Sequence, residues 1–529
     1  MKAWCVLAGL LVACGDDADP LRVTLDTGVV IGVPQGEARA FLGIPYAAPP
    51  VGELRFKPPK PVEPWSEPRD AAGVGTQCYQ TFSLSGAGGE EDCLFVNVWA
   101  PADDGKPKPV MVWLHGGAFV FGSGGDDFYS GKHLAETYGV IVVTVNYRLG
   151  ALGFLAHPAF AAEDPAYPSS GNWGLDDQLA ALEWVQRNIA VFGGDPARVT
   201  LFGESAGGFS TCAHYVSPRS AGLFARAITQ SGICAIMFPE PAKAEAEAAG
   251  IAVAEQLGCP GTGAAAAACL RTKAPEALLA ATNPPAPANQ VHTGGPFYAG
   301  GNVLSTLPNV DGLVLKGTLR ELFAAGGYEK RPVIIGGNLD EGTLFHSSFF
   351  AQEVPDETDY RAALARRFGA ANVDAIVARY PVASFPGANR AIAEVSGDSF
   401  FACAARRSAR AMAANGATTY LYQFERAPEG PFLQGLGVFH SSEIPFVFGT
   451  DPAFPLGRVG PGGAATAEAI QGYWTRFAAT GDPNDGAAPT WAPLDPAAGN
   501  YLAIGSAIAE KPAFKAAACD FWDAVVPPP

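Results

Sequence analysis

The chain of 529 residues is 48% hydrophobic and only 16% charged, so it has enough apolar side chains for a large core and is not intrinsically disordered. Its 35 basic and 52 acidic residues give a formal net charge of −17, which excludes the basic face that nucleic-acid binding requires. The 63 glycines and 45 prolines predict many turns and long surface loops.

The first residues have the pattern of an export signal. After Met1-Lys2, the run from Ala3 to Cys14 is shorter than the roughly 20 apolar residues of a membrane span but fits the hydrophobic region of a signal peptide. Residues 11–14, Leu-Val-Ala-Cys, resemble the lipobox of bacterial lipoproteins, in which the cysteine becomes the lipidated N-terminus. We therefore expect Cys14 to anchor the protein to the bacterial cell envelope. The alternative is a plain signal peptide and a secreted protein.

Downstream of this signal, buried strands alternate with helices. Residues 21–33 alternate around Asp26-Thr27-Gly28, which predicts a hairpin. Between residues 175 and 192 apolar side chains recur every three or four positions, which predicts a helix. The resulting order of strand, helix and strand predicts an α/β fold around a central sheet. Strands buried on both faces are predicted from the apolar runs at residues 110–114, 140–145, 198–202 and 226–230.

The chain contains no internal repeat and no segment resembling an interdomain linker. We therefore expect a signal peptide at residues 1–13, a polar tether at residues 14–20 and a single domain at residues 21–525.

Residues 203–207, Gly-Glu-Ser-Ala-Gly, match the pattern G-x-S-x-G. In a chain so rich in glycine, roughly 0.5 matches to this pattern are expected by chance, so the pattern alone is weak evidence for a nucleophile. Its context is stronger, because a buried strand runs into it and a helix of small residues leaves it, as the elbow of a nucleophilic serine requires. The N-terminus of that helix stabilises negative charge near Ser205. The alternative is a glycine-rich turn with an incidental serine.

A second motif, residues 115–119, directly follows a buried strand and reads His-Gly-Gly-Ala-Phe. It fits the HGGG-type element that offers backbone N–H groups to a developing oxyanion. His115 is therefore expected to be structural rather than catalytic.

In this type of fold the acid and the histidine of a catalytic triad follow the serine. His440 lies in a short loop, residues 437–443, from which its imidazole can reach the elbow. The other histidines after Ser205 are His214 in the helix after the elbow, His292 in a loop rich in Pro and Gly, and His346 in a predicted helix.

The acid is predicted at the end of another strand. Residues 333–337 form an apolar run, and Asp340 and Glu341 follow it. Catalytic groups of open α/β sheets collect at the carboxyl ends of strands. From spacing alone Asp340 and Glu341 are equally good candidates.

At this point the sequence resembles type-B carboxylesterases, the cholinesterase-like branch of the α/β-hydrolase fold, across nearly all of residues 21–525. The resemblance implies a large, mostly parallel twisted sheet flanked by helices, with a small N-terminal sheet. It is carried by FLGIPYA at 41–47 with LRF at 54–56, EDCL at 91–94, NYRL at 146–149, FGGDP at 192–196, GESAGG at 203–208, QSG at 230–232, DEG at 340–342, residues 437–449, YWTRFA at 473–478 and GDPN at 481–484.

The resemblance also implies the roles of the site residues. Ser205 is then the nucleophile, His440 the general base and later acid, and Glu341 the carboxylate that orients the imidazole. No metal or cofactor is implied. Further implied are the oxyanion donors Gly117, Ala118 and Ala206 and the supporting residues Glu204 and Ser231.

Disulfide pairing is likewise implied by the resemblance rather than by spacing, since eight cysteines allow 105 pairings. The implied bridges are Cys78–Cys93, Cys259–Cys269 and Cys403–Cys519. Cys212 and Cys234 have no partner in the family, so we expect free buried thiols, with a mutual disulfide as the alternative.

These residues predict a serine hydrolase that cleaves carboxylic esters through an acyl-enzyme. Phe119, Phe121 and Phe345 are expected to line an apolar pocket for neutral esters of short to medium acids. The segment between Cys78 and Cys93 contains no Trp, so choline esters are not expected to be preferred. The alternatives are a lipase-like or specialised natural-product esterase, and a catalytically inactive adhesion or scaffold protein.

Overall fold

The computed structural model describes residues 19–82, 86–232, 234–235, 240–282, 307–347, 354–430, 433, 435–451, 457–485 and 488–525. The predicted signal peptide, Cys14 and His292 lie outside these residues. Among the described helices, none is both long enough and apolar enough to cross a membrane.

Two β-sheets form the frame of the described chain. The strands are, in chain order, β1 (Arg22–Leu25), β2 (Gly28–Ile31), β3 (Val33–Gln35), β4 (Ala38–Pro45), β5 (Arg69–Asp70), β6 (Phe95–Ala100), β7 (Lys108–Leu114), β8 (Ile141–Val145), β9 (Gly194–Glu204), β10 (Arg226–Gln230), β11 (Val333–Asn338), β12 (Thr419–Phe424), β13 (Tyr501–Ile504) and β14 (Ile508–Lys511).

The larger sheet has the order β14-β13-β12-β11-β10-β9-β7-β8-β6-β4-β3. The strands from β13 to β8 in this order are parallel, and the strands at both edges are antiparallel. The smaller sheet has the order β1-β2-β5, and β1 pairs antiparallel with β2 as the hairpin pattern predicts. The predicted mostly parallel sheet with a small N-terminal sheet is therefore confirmed.

Helices cover the sheet. The helix predicted at residues 175–192 is present as an α-helix that continues into a 3₁₀ turn at Ile189–Phe192. A π-helix at Gly397–Ala402 precedes one of the α-helices. The α-helices are α1 (Lys132–Tyr138), α2 (Gly150–Phe154), α3 (Pro158–Ala161), α4 (Trp173–Asn188), α5 (Ala206–Val216), α6 (Lys243–Gln256), α7 (Ala264–Arg271), α8 (Pro275–Thr282), α9 (Leu319–Ala325), α10 (Glu357–Phe368), α11 (Val373–Arg379), α12 (Ala388–Ser396), α13 (Cys403–Ala414), α14 (Ile444–Phe448), α15 (Gly460–Thr480) and α16 (Ala516–Val525).

The core lies on both faces of the sheet, which is why the central strands are continuous apolar runs. In β7, Val110 and Val112 join one apolar cluster, whereas Met111 and Trp113 join the other. Each of these side chains is fully buried, and such burial contributes about 1.5–3 kcal/mol per large apolar side chain. The sheet is thus a rigid frame, and the carboxyl ends of β9, β10 and β11 lie side by side along it.

Four disulfides cross-link the described chain. Three are the bridges that the family resemblance implies, namely Cys78–Cys93, Cys259–Cys269 and Cys403–Cys519. The expectation of free thiols at Cys212 and Cys234 is wrong, because the fourth bridge joins these two residues. The physical reason is tertiary: α5 packs against the chain that follows β10, which brings the two Cα atoms to 5.7 Å.

Candidate active site

Ser205 forms the sharp turn between β9 and α5. The strand ends at Glu204 and the helix begins at Ala206, so one residue joins them. Ser205 has φ 56° and ψ −118°, a conformation that costs a non-glycine residue on the order of 1–3 kcal/mol. Gly207 permits the turn, since a Cβ there would lie 1.9 Å from the carbonyl oxygen of Leu114. The strand-to-helix turn predicted around G-x-S-x-G is therefore present.

The loop after β7 runs beside this turn. A Cβ at Gly116 would lie 3.1 Å from Ser205 Cβ, so the loop and the serine are in close contact. Gly117 and Ala118 have φ of 107° and 53°. Among the described residues, the backbone N–H groups of Gly117, Ala118 and Ala206 have no hydrogen-bond acceptor.

Glu341 and His440 meet beyond the carboxyl end of β11. His440 Nδ1 lies 2.6 Å from Glu341 Oε2. The second carboxylate oxygen, Oε1, accepts hydrogen bonds from the Ser231 hydroxyl at 2.5 Å and from the Asn338 N–H at 2.6 Å. All four residues are buried. Because both oxygens of Glu341 are engaged, the orientation of its carboxylate is fixed.

Asp340 has a different position, although it is the neighbour of Glu341. Its carboxylate pairs with Arg390 and accepts a hydrogen bond from the Val438 N–H at 2.8 Å. The backbone N–H of Asp340 in turn donates to the Val438 carbonyl at 2.9 Å. Asp340 thus fastens the loop that carries His440 to the end of β11, and it is Glu341 that faces the imidazole.

Two further buried carboxyl groups surround His440. Glu204 Oε1 lies 3.1 Å from His440 Nε2 and accepts a hydrogen bond from the Ser441 hydroxyl at 2.6 Å. Glu443 accepts from the Gln230 amide at 3.0 Å. Glu204 immediately precedes Ser205, so Nε2 lies near the turn, but among the described residues it makes no hydrogen bond with good geometry, either to Ser205 or to Glu204. Sequence reasoning missed Glu443, although it follows the histidine by three residues in the same loop.

These charges set the protonation of the site. Burial raises the pKa of Glu204 to about 8, although the neighbouring His440 lowers it. Burial alone lowers the pKa of His440, but the carboxylates of Glu204 and Glu341 outweigh burial and raise it to about 9. Burial also raises the pKa of Glu443. Glu204 and His440 are therefore electrostatically coupled: the Glu204 carboxylate raises the pKa of the imidazole, and the charged imidazole lowers the pKa of Glu204.

The three predicted pocket residues each make different contacts. Phe345 lies against His440, with ring centroids 5.0 Å apart, and Phe401 lies against the same imidazole at 4.8 Å. Phe121 packs edge-on against Phe82 at 5.1 Å. Phe119 is buried and packs on core rings of α2 and α5. Sequence reasoning missed Phe401, because the π-helix that carries it brings it to the site from residues 397–402.

Three of the other described histidines pack against or bond to residues away from Ser205. His115 stacks on Tyr147, and burial lowers its pKa to about 4. His214 is hydrogen-bonded to Ser220, and burial lowers its pKa to about 3. His346 pairs with Ser396 at 2.9 Å.

A strained serine at a strand-to-helix turn, beside a glycine loop and a buried Glu–His pair, defines an α/β-hydrolase with serine chemistry. A model described as the carboxylesterase family matches residues 19–522, and the chain belongs to this family.

Known relatives span almost the whole chain. A fumonisin B1 esterase of Sphingopyxis macrogoltabida is 37% identical and covers 96% of this chain and 91% of the relative. An acetylcholinesterase of Bungarus fasciatus is 33% identical, and the alignment covers 96% of this chain and 87% of the relative. A solved structure described as PNB esterase is 34% identical, with a TM-score of 0.80, and covers 95% of this chain and 100% of that chain. The protein is therefore a serine hydrolase of carboxylic esters, and its substrate is a small-molecule ester.

Proposed function

We propose that Ser205, His440 and Glu341 are the catalytic triad of this esterase. The observation that carries the proposal is the fixed carboxylate of Glu341, 2.6 Å from His440 Nδ1, while Nε2 of the same imidazole lies 3.1 Å from Oε1 of Glu204, the residue that precedes Ser205. Glu341 holds the imidazole with its proton on Nδ1, so that Nε2 accepts the hydroxyl proton of Ser205. Ser231 supports this arrangement through its hydrogen bond to Glu341.

The reaction proceeds through an acyl-enzyme. Ser205 Oγ attacks the ester carbonyl carbon and gives its proton to His440, and the oxyanion that forms accepts hydrogen bonds from the N–H groups of Gly117, Ala118 and Ala206. The C–O bond to the alcohol then breaks, and His440 returns the proton to the departing alkoxide oxygen. Water repeats the sequence on the acyl-enzyme and releases the acid.

Labelling with a fluorophosphonate probe tests the nucleophile. Ser205→Ala is expected to abolish labelling and to lower kcat by on the order of 10⁴-fold or more. The matched control is Ser210→Ala on the same helix, because Ser210 is also buried and its hydroxyl accepts a hydrogen bond from Gln178. The control should label fully. Stoichiometric labelling of the Ser205→Ala protein would refute the assignment.

The substrate we propose is a neutral ester of a short to medium acid. Phe345 and Phe401 present apolar rings at the imidazole. Recognition of choline needs aromatic faces around the cation, and residues 79–92 provide no Trp for such a cage. The kcat/KM for an uncharged butyrate ester should exceed that for butyrylcholine of similar leaving-group reactivity. A preference of about tenfold or more for the choline ester, or 1.4 kcal/mol, would contradict this proposal.

A specialised natural-product ester is the second candidate. It is favoured by the 37% identity to a protein described as fumonisin B1 esterase. A panel of nitrophenyl esters of graded acyl length, run beside bulky natural-product esters, separates the two. A kcat/KM for the bulky esters above that for every simple ester would favour the second candidate.

The four disulfides indicate an exported protein, since disulfides persist in oxidising compartments. We propose further that residues 1–13 are removed as a signal peptide, that Cys14 is lipidated on the cell envelope, and that residues 21–525 form one catalytic domain beyond a short tether. Mass spectrometry of protein made in a bacterium that processes lipoproteins should find a diacyl modification on Cys14. An unmodified mature N-terminus elsewhere would make the protein a secreted one.

A further inference from the structure

The oxyanion loop, residues 116–122, has a conformation that its own sequence does not favour. Four of its residues, Gly117, Ala118, Phe119 and Gly122, have positive φ of 107°, 53°, 63° and 112°. Two of these four carry side chains, and non-glycine residues keep such a conformation only where the surrounding structure enforces it. The loop must therefore be held from outside.

One anchor of the loop is Phe119. Its carbonyl oxygen accepts a hydrogen bond from the Gly150 N–H at 2.6 Å, and its ring packs against Phe154 and Phe209 with centroids 5.0 and 5.7 Å away. This anchor is apolar and belongs to the core. It fixes the middle of the oxyanion loop but not the end at which the chain turns away.

The second anchor is Gln80, which comes from a different part of the chain. Its side-chain Oε1 accepts a hydrogen bond from the Gly122 N–H at 2.8 Å, and its Nε2 donates to the Gly122 carbonyl at 3.1 Å. One amide thus pairs with both polar groups of one glycine, as a neighbouring strand would. Gln80 is fully buried, and Nε2 also donates to the Cys78 carbonyl at 2.9 Å.

The backbone of Gln80 is itself held firmly. It exchanges two hydrogen bonds of 2.9 Å with Gly88, and the disulfide Cys78–Cys93 closes the segment that contains both residues. The paired residues around Gln80 and Gly88 are therefore a support from which the Gln80 amide reaches the oxyanion loop.

The hydrogen bonds between Gln80 and Gly122 also restrain the oxyanion donors. The Gly117 carbonyl accepts hydrogen bonds from the Val120 and Phe121 N–H groups at 2.9 and 3.1 Å, so residues 117–122 form one compact turn. A Cβ on Gly117 would lie 2.0 Å from the Phe121 carbonyl oxygen, which shows how closely the turn is packed. Movement at Gly122 therefore displaces Gly117 and its N–H.

We propose that Gln80 is a positioning residue that aims the N–H groups of Gly117 and Ala118 at the developing oxyanion. It acts through the loop and does not touch the substrate. The inference rests on the oxyanion role proposed above for these two residues. It predicts that the loss of Gln80 weakens binding of the transition state more than binding of the substrate.

Two variants and a matched control test this. Gln80→Met preserves the shape and removes all three hydrogen bonds, whereas Gln80→Glu retains the acceptor for the Gly122 N–H and loses the donors while it is ionised. Gln77→Met is the control, because the amide of Gln77 donates to Gly86 within the disulfide segment. Active sites are counted with a fluorophosphonate, so that kcat refers to folded protein only.

Gln80→Met is expected to lower kcat by about 10- to 100-fold, somewhat less than the loss of a whole oxyanion donor, and to change KM by less than about threefold. The inhibition constant of a trifluoromethyl ketone, which forms a tetrahedral adduct, should rise by the factor by which kcat/KM falls. The inhibition constant of the corresponding alcohol should not change, and Gln77→Met should match the wild type in every measurement.

Gln80→Glu gives an independent readout. A protonated Glu donates one hydrogen bond and accepts another, which restores both bonds to Gly122, and burial raises the pKa of an introduced carboxyl. The activity of Gln80→Glu relative to wild type should therefore rise as the pH falls. If Gln80 acted on stability alone, this ratio would be constant with pH for the folded enzyme. Gln80→Glu therefore still tests the proposal if Gln80→Met does not fold.

The proposal is overturned if Gln80→Met keeps kcat per titrated site within about twofold of wild type. It is also overturned if kcat falls without a matching loss of affinity for the ketone, or if the activity of Gln80→Glu relative to wild type is independent of pH. Failure of the proposed function is a different result, since the trifluoromethyl ketone would then not inhibit the wild-type enzyme.

Discussion

Substitution of Glu341 by Gln is the sharpest test of the site, because the structure determines how the new amide must lie. The Oε1 position of Glu341 receives two donors, the Ser231 hydroxyl and the Asn338 N–H. In Glu341→Gln the amide oxygen must stay there, which leaves the NH₂ group facing His440. A flipped amide would oppose the buried Asn338 N–H, at a cost of roughly 1–3 kcal/mol, although the Ser231 hydroxyl could rotate to accept from it.

The amide then donates to Nδ1 of His440, so the neutral imidazole must carry its own proton on Nε2. This is the wrong tautomer for accepting the proton of Ser205. We expect kcat to fall by on the order of 10⁴-fold, as in the Asp to Asn change of a Ser-His-Asp triad, which corresponds to about 5.4 kcal/mol of transition-state stabilisation.

The control is Asp340→Asn, because Asp340 is adjacent in the chain but contacts Arg390 and the Val438 N–H instead. Asn keeps an oxygen for that N–H, so kcat should remain within about threefold of wild type even though an ion pair is lost. The assay is steady-state hydrolysis of nitrophenyl butyrate per titrated active site. Equal losses in the two variants, or a Glu341→Gln enzyme with about a tenth of wild-type kcat, would refute the reasoning.

Two further predictions concern the surroundings of the triad. Glu204→Gln removes a carboxylate that raises the pKa of His440, so this pKa should fall. The acid limb of the plot of kcat/KM against pH should then move to lower pH by about one unit or more. No shift, or a shift to higher pH, would contradict the interaction. The double change Cys212→Ala with Cys234→Ala opens a loop with a sequence separation of 22 and should lower the free energy of unfolding by roughly 3 kcal/mol in urea titrations. Non-reducing peptide mapping that finds these two cysteines as thiols would disprove the bridge.

Local sequence was sufficient for the frame of this protein. The predicted strand at 226–230 is β10 without a change of boundary, the run at 110–114 lies in β7, and the run at 140–145 begins one residue before β8. Such strands are apolar on both faces, which is the direct consequence of helices covering both sides of a parallel sheet. The elbow was also predictable from local sequence, because the small residues of G-x-S-x-G permit a tight backbone turn that larger neighbours would prevent.

Other features depend on contacts between distant segments. Nothing in the spacing distinguished Asp340 from Glu341, since adjacent residues at the end of a strand point in different directions and only the loop of His440 selects between them. Cys212 and Cys234 were misjudged because their pairing depends on how closely α5 approaches the end of β10. A Cβ on Gly208 would lie 2.7 Å from the Gly232 Cα, so these two glycines permit that approach.

The sequence by itself thus determined the sheet, the elbow and the kind of chemistry, because each is encoded in residues that are neighbours in the chain. Spacing left Asp340 and Glu341 equal, and only the family resemblance implied Glu341. The tertiary structure showed that Glu341 and Glu204 both contact the imidazole and that Gln80 is hydrogen-bonded to Gly122. The contacts of Gln80 with Gly122, of Glu341 with His440 and of Glu204 with His440 join residues 42, 99 and 236 positions apart, and they form only where folding has fixed both partners.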